Sequence, residues 1–240
     1  MSGFCDLHCH LLYGVDDGAK TLEDTMEMAR ALVDLGFSTV APSPHNRPQY
    51  APRAVAEKRL EEVREALRAA AIPLELAANA ENSLLEDDFV SGIGTPRARL
   101  LGAGAYVLVE APYAAPVLAL PEIIFRVKLK GVTALIAHPE RCQEFEKPGR
   151  AAEAVRAGAS LQLDLGALIG RYGPKAKKMS RALLEQGLYA VAATDLHSPV
   201  GAREWLSRAL HELRQRAGEQ GFESLLRIHP QKILAGESLV

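Results

Sequence analysis

Short apolar runs alternate along the chain with longer stretches in which apolar residues recur every three or four positions. Seven runs have the length and composition of strands, at 3–7, 37–41, 74–79, 106–109, 132–137, 160–163 and 188–194. Between the first two, Thr21 and Asp24 have the spacing of a reciprocal N-terminal cap. Leu22, Met26, Ala29 and Val33 follow at helical period, and Gly36 stands where a left-handed C-terminal cap belongs. Further helices are predicted over 52–71, 121–130, 150–157, 174–186 and 202–216. In the first of these the charge-rich stretch 57–68 reads as a solvated face. The segment 91–104, rich in Gly and Arg, reads as a long surface connection. Strands that alternate with helices in this way specify a parallel α/β architecture.

Composition narrows the function classes. The 240 residues carry 28 Lys+Arg against 30 Asp+Glu, a net charge of −2, with 48% hydrophobic residues. A chain of this length buries roughly 70% of its unfolded surface, enough for one sizeable core, and a single domain spanning 1–240 is expected. The balanced charge argues against a nucleic-acid binder, which needs a basic face. Cys5, Cys9 and Cys142 are odd in number and contain no CxxC pair, so a reducing, cytoplasmic setting is expected. Asp6, His8 and His10 interrupt the N-terminal apolar stretch, and no later segment approaches ~18 apolar residues, so neither export nor membrane insertion is expected.

The metal-type residues occupy one kind of position. His8 and His10 follow the first strand, with Asp17 in the loop beyond. His45 follows the second strand, Glu81 the third, Glu110 the fourth, His138 the fifth, and Asp195 and His197 the seventh. In parallel sheets and barrels the C-terminal strand ends converge on one rim, where ligand sites are built. Five imidazoles and four carboxylates gathered there without cations would repel and desolvate one another. The mixture suits divalent Mn, Fe, Zn or Co, and nine donors are too many for one ion. Cys9, between the two histidines, should point away from them in an extended segment. His211 and His229 read as surface or packing groups. Asp164 reads equally as a group orienting a ligand or as a helix cap.

The motifs DLHCHLLYGVDDGAKTLEDTMEMA at 6–29, SPH at 43–45, AEN at 80–82, IAHPER at 136–141 and ATDLHS at 193–198 resemble the polymerase and histidinol phosphatase (PHP) family. Within it they are most similar to the bacterial tyrosine phosphatases of the CpsB/YwqE type. HPQKIL at 229–234 is similar to that family's closing helix. The resemblance implies a distorted seven-stranded (β/α)7 barrel with a trinuclear metal site at the C-terminal rim of the strands. One ion would be held by His8, His10, Glu81 and Asp195, a second by Glu81, Glu110 and His138, and a third by Asp17, His45 and His197. Asp17 is preferred to Asp16 because the family's ligand directly precedes the glycine. Arg141 and Arg203 match arginines that hold the substrate phosphate. HNRPQY after His45 departs from the family's Gly-Arg-Tyr, which leaves open whether Arg203 or Arg47 makes such a contact.

Three divalent ions outweigh Asp17, Glu81, Glu110 and Asp195 by two positive charges, which matches a phosphomonoester dianion. Bridging water activated by the ions would then attack phosphorus. A phenolate leaving group, with a pKa of about 10, needs little protonation, and metal-bound water or His45 could assist. The cysteine route is excluded, because no Cys is followed six residues later by Arg. The expected activity is a Mn-dependent protein-tyrosine phosphatase, and the resemblance implies as its partner a bacterial tyrosine kinase controlling capsule or exopolysaccharide synthesis. The alternatives are a small-metabolite phosphomonoesterase of the histidinol-phosphate type, a phosphodiesterase, and a non-catalytic metal-stabilised interaction module. Oligomeric state is left open.

Overall fold

The computed structural model describes residues 3–84, 89–117 and 119–239. Among them are nine strands: β1 (Phe4–Cys9), β2 (Phe37–Pro42), β3 (His45–Asn46), β4 (Glu75–Leu76), β5 (Glu81–Ser83), β6 (Tyr106–Glu110), β7 (Thr133–Ala137), β8 (Ser160–Asp164) and β9 (Tyr189–Ala193). They form two parallel sheets, ordered β1-β2-β4 and β3-β5-β6-β7-β8-β9. Each of the seven predicted runs contains a strand. The other two, β3 and β5, were not foreseen. Pro42 and Pro44 bracket Ser43 and break the path after β2, because proline cannot donate to a ladder. The chain resumes as β3, and β4 likewise resumes as β5. His45 then pairs with Glu81 in register. The far end of the larger sheet is tied to β1: Asp195 N donates to His8 O and His10 N to Leu196 O, both at 2.9 Å.

The helices are α1 (Leu22–Asp34), α2 (Arg53–Ala69), α3 (Phe89–Gly92), α4 (Leu120–Leu129), α5 (Arg150–Ala157), α6 (Leu165–Ile169), α7 (Gly173–Glu185), α8 (Ala202–Glu223) and α9 (His229–Ala235). The reciprocal cap at Thr21 and Asp24 is present, and Gly36 adopts φ 93° beyond the helix end. The buried face of α1 is rotated from the predicted stripe, however. Thr25, Met28, Ala29 and Leu32 are buried whereas Leu22 is exposed, because Thr25 turns inward to donate its hydroxyl to Leu11 O at 2.7 Å. On α2 the charges are solvated as expected, with Ala56, Leu60, Val63 and Leu67 facing the core. The segment 91–104 is not purely a surface connection, since Ile93, Ala98 and Leu101 are buried. The last long helix passes the predicted end, kinks at Gly218 (φ 68°, ψ 174°) and continues through a π-helical turn, Ser224–Ile228, into α9.

Alternation along the central strands separates two cores. Val107 and Val109 of β6 and Ala134 and Ile136 of β7 belong to the large cluster shared with the helices. Tyr106, Leu108, Leu135 and Ala137 face the other way, into a smaller cluster with Leu7, Val191 and Ile233 of α9. This inner cluster is the floor on which the strand ends rest. No helix among the described residues is long and apolar enough to cross a membrane. Leu108 is fully buried in the inner cluster, so Leu108→Ala should lower the unfolding free energy by about 2–5 kcal/mol in urea denaturation. A loss below about 1 kcal/mol would mean that this layer is not tightly packed.

Candidate metal centre

Parallel strands deliver their C-terminal ends to one rim, and all nine expected donors are there. Four groups of donors lie close enough to share an ion, each with its ligand atoms within 4.8 Å of one another: His8, His10 and Glu81; His8, His138 and Asp195; His45, Glu81 and Glu110; and His10, Asp17, His45 and His197. At the centre, His8 Nε2 is 3.2 Å from His10 Nε2. Asp195 Oδ1 is 3.2 Å from His8 Nε2 and 3.4 Å from His10 Nε2, and Glu81 Oε2 is 3.5 and 3.6 Å from the same two atoms. Donors each about 2.1 Å from one cation stand roughly 3.0–3.4 Å apart at octahedral or tetrahedral angles. Five independent separations between 3.2 and 3.6 Å therefore fit the donor set of a single shared ion.

The donors expected around the other two ions are partly regrouped. Asp17 Oδ1 lies 3.4 Å from His45 Nε2 and 3.6 Å from His197 Nε2, an outer and partly exposed cluster. Glu110 falls with Glu81 and His45, while His138 Nε2 stands 3.1 Å from Glu81 Oε1 and 3.9 Å from Glu110 Oε1. His45 has its ring nitrogens toward two carboxylates, with Nδ1 2.9 Å from Glu81 Oε2 and Nε2 toward Asp17. That placement suits a ligand bridging two groups better than a free proton donor.

The charges explain why the cluster calls for cations. Burial would push the Glu81 carboxyl up, but His8, His138 and His45 together hold it well below the ordinary carboxylate range. The Asp195 carboxyl is held down in the same way by His8, His10 and His138. In return, and against the effect of burial, Asp17 and Glu81 raise His45 to about 10. The carboxylates are thus demanding positive charge from imidazoles that lie within reach.

Residues not assigned from the sequence hold the donors in place. His10 Nδ1 pairs with Asp16 Oδ2 at 2.8 Å, and the same carboxylate accepts from His45 N and Gly18 N. The proton is thereby fixed on Nδ1, and the Nε2 lone pair faces the centre. Asp16 is an orienting group, while Asp17 is the aspartate whose carboxylate reaches His45 and His197. Gln162 plays the equivalent part for His8. Its side-chain amide is 3.0 Å from Nδ1, and its Oε1 has no other partner, so turning the amide makes Oε1 the acceptor of an Nδ1–H. Asp6 accepts from His8 N, Thr194 N and Thr194 Oγ1, locking the first strand to the last. The clue to Gln162 was an amide inside an apolar strand, two residues before Asp164 on the same face. Asp164 takes the cap role, with Oδ1 accepting from Gly166 N at the start of α6, while its Oδ2 accepts from Arg141 at 3.1 Å rather than from a metal-type donor.

Arg141 stands at the rim. It donates to Asp195 Oδ2 and to Tyr113 Oη, and its guanidinium lies 4.0 Å from the Tyr172 ring centroid and 4.9 Å from that of Tyr113. Arg203 is instead in an exposed pair with Asp34 at 2.7 Å, on the outer surface between α8 and α1. Arg47 pairs with Glu110. Cys9 points away from the histidines as expected, into the apolar core, and Cys5 and Cys142 are buried and free. His229 is a packing group bonded to Ala190 O.

A parallel α/β scaffold with a buried cluster of imidazole and carboxylate donors at its strand ends defines a metal-dependent hydrolase-like class of protein. Within that class the chain belongs to the CpsB/CapC family of capsular polysaccharide synthesis, whose family model matches residues 4–235. It is 31% identical over 219 residues to the tyrosine-protein phosphatase YwqE of Bacillus subtilis, covering 90% of this chain and 85% of that one. It is 24% identical to the tyrosine-protein phosphatase CpsB of Streptococcus pneumoniae, covering 95% and 97%. A crystal structure from work on YwqE and CpsB, described as metal-dependent tyrosine phosphatases, superposes with a TM-score of 0.88 at 27% identity, covering 98% of this chain and 96% of that one.

Gly18 supports the donor loop by close approach. A Cβ there would meet His10 O at 2.3 Å and His10 Cβ at 2.4 Å, backbone and stem that cannot yield without moving the ring. Gly18→Ala should cost about 10- to 100-fold in divalent-ion affinity by isothermal titration calorimetry, the range for lost support of a ligand. Unchanged affinity would mean that the loop adapts freely.

Proposed function

We propose that this chain is a metal-dependent protein-tyrosine phosphatase that holds three divalent ions, with Mn(II) the preferred occupant, and acts on a bacterial tyrosine kinase of capsule or exopolysaccharide synthesis. The observation that carries the reading is the set of five donor separations around His8, His10, Glu81 and Asp195. His8, His10, Glu81 and Asp195 would hold the first ion, Glu81, Glu110 and His138 the second, and Asp17, His45 and His197 the third. When bound, such ions supply Lewis acidity toward phosphoryl oxygens and lower the pKa of water toward neutrality.

The side chains of this protein bind and orient the ester. Arg141 keeps N–H donors beyond those engaged by Asp195, Asp164 and Tyr113, and a phosphate accepts charge-assisted bonds from a guanidinium in a fixed plane. That plane is fixed by the rings of Tyr113 and Tyr172 and by the two carboxylates. Tyr113, tilted against His138 with 5.5 Å between ring centroids, offers an aromatic wall to an aryl leaving group. Phenolate departs without full protonation, which suits a site whose histidines all face carboxylates.

His138→Ala and Asp195→Ala should each abolish turnover of a phosphotyrosyl peptide while leaving a cooperative melting transition. Elemental analysis should show fewer bound ions, since one donor of a shared set is gone. Retained activity in both variants rules out the proposed centre. Prolonged chelation should likewise remove activity, and Mn(II) should restore it. A phosphotyrosyl peptide should be hydrolysed in preference to histidinol phosphate, and the reverse preference would favour a metabolite phosphatase. Arg141→Ala should raise KM for the peptide with little change in ion content, which separates phosphate binding from metal binding.

A further inference from the structure

Past Arg141 the rim opens into two adjoining cavities. The smaller, about 240 Å3, is walled by Tyr113, Arg141 and Tyr172. The larger, about 460 Å3, runs between the segment from Phe145 to Ala152 and one side of α7. Glu146 and Lys175, joined at 2.5 Å, line both cavities and form their common lip. The result is one groove leading away from the guanidinium that faces the reaction centre.

Its lining has two characters. The floor is apolar, with Phe145 and Leu183 buried and Met179 half-buried. The walls are cationic: Lys147, Lys175 and Lys178 face it against Glu146 alone. Glu146 is already engaged by Lys175, and Lys147 and Lys178 have no ion pair among the described residues. A small phosphate ester fills the first cavity at most and gains nothing from the second. A polypeptide carrying phosphotyrosine must continue outward from Arg141, and an extended chain advances about 3.3 Å per residue, so the next few residues reach the lysines.

We infer that this groove seats the polypeptide flanking the phosphotyrosine, an extended segment that places acidic side chains against Lys147 and Lys178 and an apolar side chain over Phe145 and Leu183. The inference rests on the phosphatase reading and deepens it. The substrate is recognised as a protein segment of acidic and apolar character, apart from its phosphate.

The test uses two ten-residue peptides, each with one phosphotyrosine and one leucine, flanked by glutamates in the first and lysines in the second. Turnover by the full chain loaded with Mn(II) is compared with that of p-nitrophenyl phosphate. Binding of fluorescein-labelled, non-hydrolysable phosphonate versions is read by anisotropy. The acidic peptide should be favoured by about tenfold in kcat/KM and in Kd, the size expected of two solvent-exposed charge contacts switched from attraction to repulsion. In the double variant K147E/K178E, with an unchanged melting curve, that preference should vanish or reverse. Equal handling of the two peptides by the wild-type chain, or a preference that survives in the variant, overturns the groove. Cleavage of p-nitrophenyl phosphate with neither peptide turned over would instead count against the tyrosine-phosphatase reading. In that event the anisotropy comparison still decides the groove, since selective binding of the acidic peptide that is lost in the variant upholds it and indifference ends it.

Discussion

Glu81 is the meeting point of four imidazoles. His45, His138, His8 and His10 approach its carboxylate at 2.9, 3.1, 3.5 and 3.6 Å, and the group is almost wholly buried. A carboxylate removed from water in this way persists only with positive charge around it. The four rings come from the ends of three different strands, and Glu81 itself opens a fourth, so the convergence fixes how those strands are placed. Two of the strands, β3 and β5, exist as separate elements only at this point. Their pairing, His45 beside Glu81, is what turns the break after Pro42 into a contribution to the site.

The backbone is bent to serve the same end. Among the described residues only three non-glycine positions have positive φ, and two of them are His138 and Asp195, at 34° and 50°. Left-handed geometry is costly for these residues and is kept where the surroundings over-determine it. Here the surroundings are the Asp195 N to His8 O bond and the turn closed by Arg141 N to His138 O, both at 2.9 Å. Each turn swings its side chain inward from the strand end. Asp16 and Gln162 then set which nitrogen of the His10 and His8 rings faces the centre, and Asp6 ties the backbone of His8 to Thr194, so these two donors are held by polar groups withdrawn from solvent.

Division of labour across the rim follows from charge. On one side lies the donor cluster, whose four carboxylates call for cations. On the other, the guanidinium of Arg141 is held between two tyrosine rings and two aspartates, its own proton secured by Asp195 and Asp164. In the proposed phosphatase, a phosphate held between the two would meet positive charge from the bound ions on one side and from Arg141 on the other. The cationic groove beyond Tyr172 is lined by none of the nine donors, so the site proposed for the flanking peptide and the donor cluster use different side chains.

Much of this was written into the chain. Short apolar runs marked the seven strand-bearing segments and helical period the main helices, because a repeat of 3.6 follows from backbone geometry alone. The rule that parallel strand ends converge was sufficient to gather nine donors from positions as distant as His8 and His197. Sequence could not supply what depends on contacts between distant segments. The short strands β3 and β5, the rotation of α1 by Thr25, and the buried turns at α3 and α6 have too few residues to show a period. Arg203, matched to the phosphate site by resemblance, is drawn to Asp34 on the outer surface, while Glu110 falls to His45 as much as to His138. Local propensity selects the elements; which imidazole nitrogen faces which carboxylate, and where a groove opens beside it, is decided by packing, because those distances are set by strands that meet only when the whole sheet has formed.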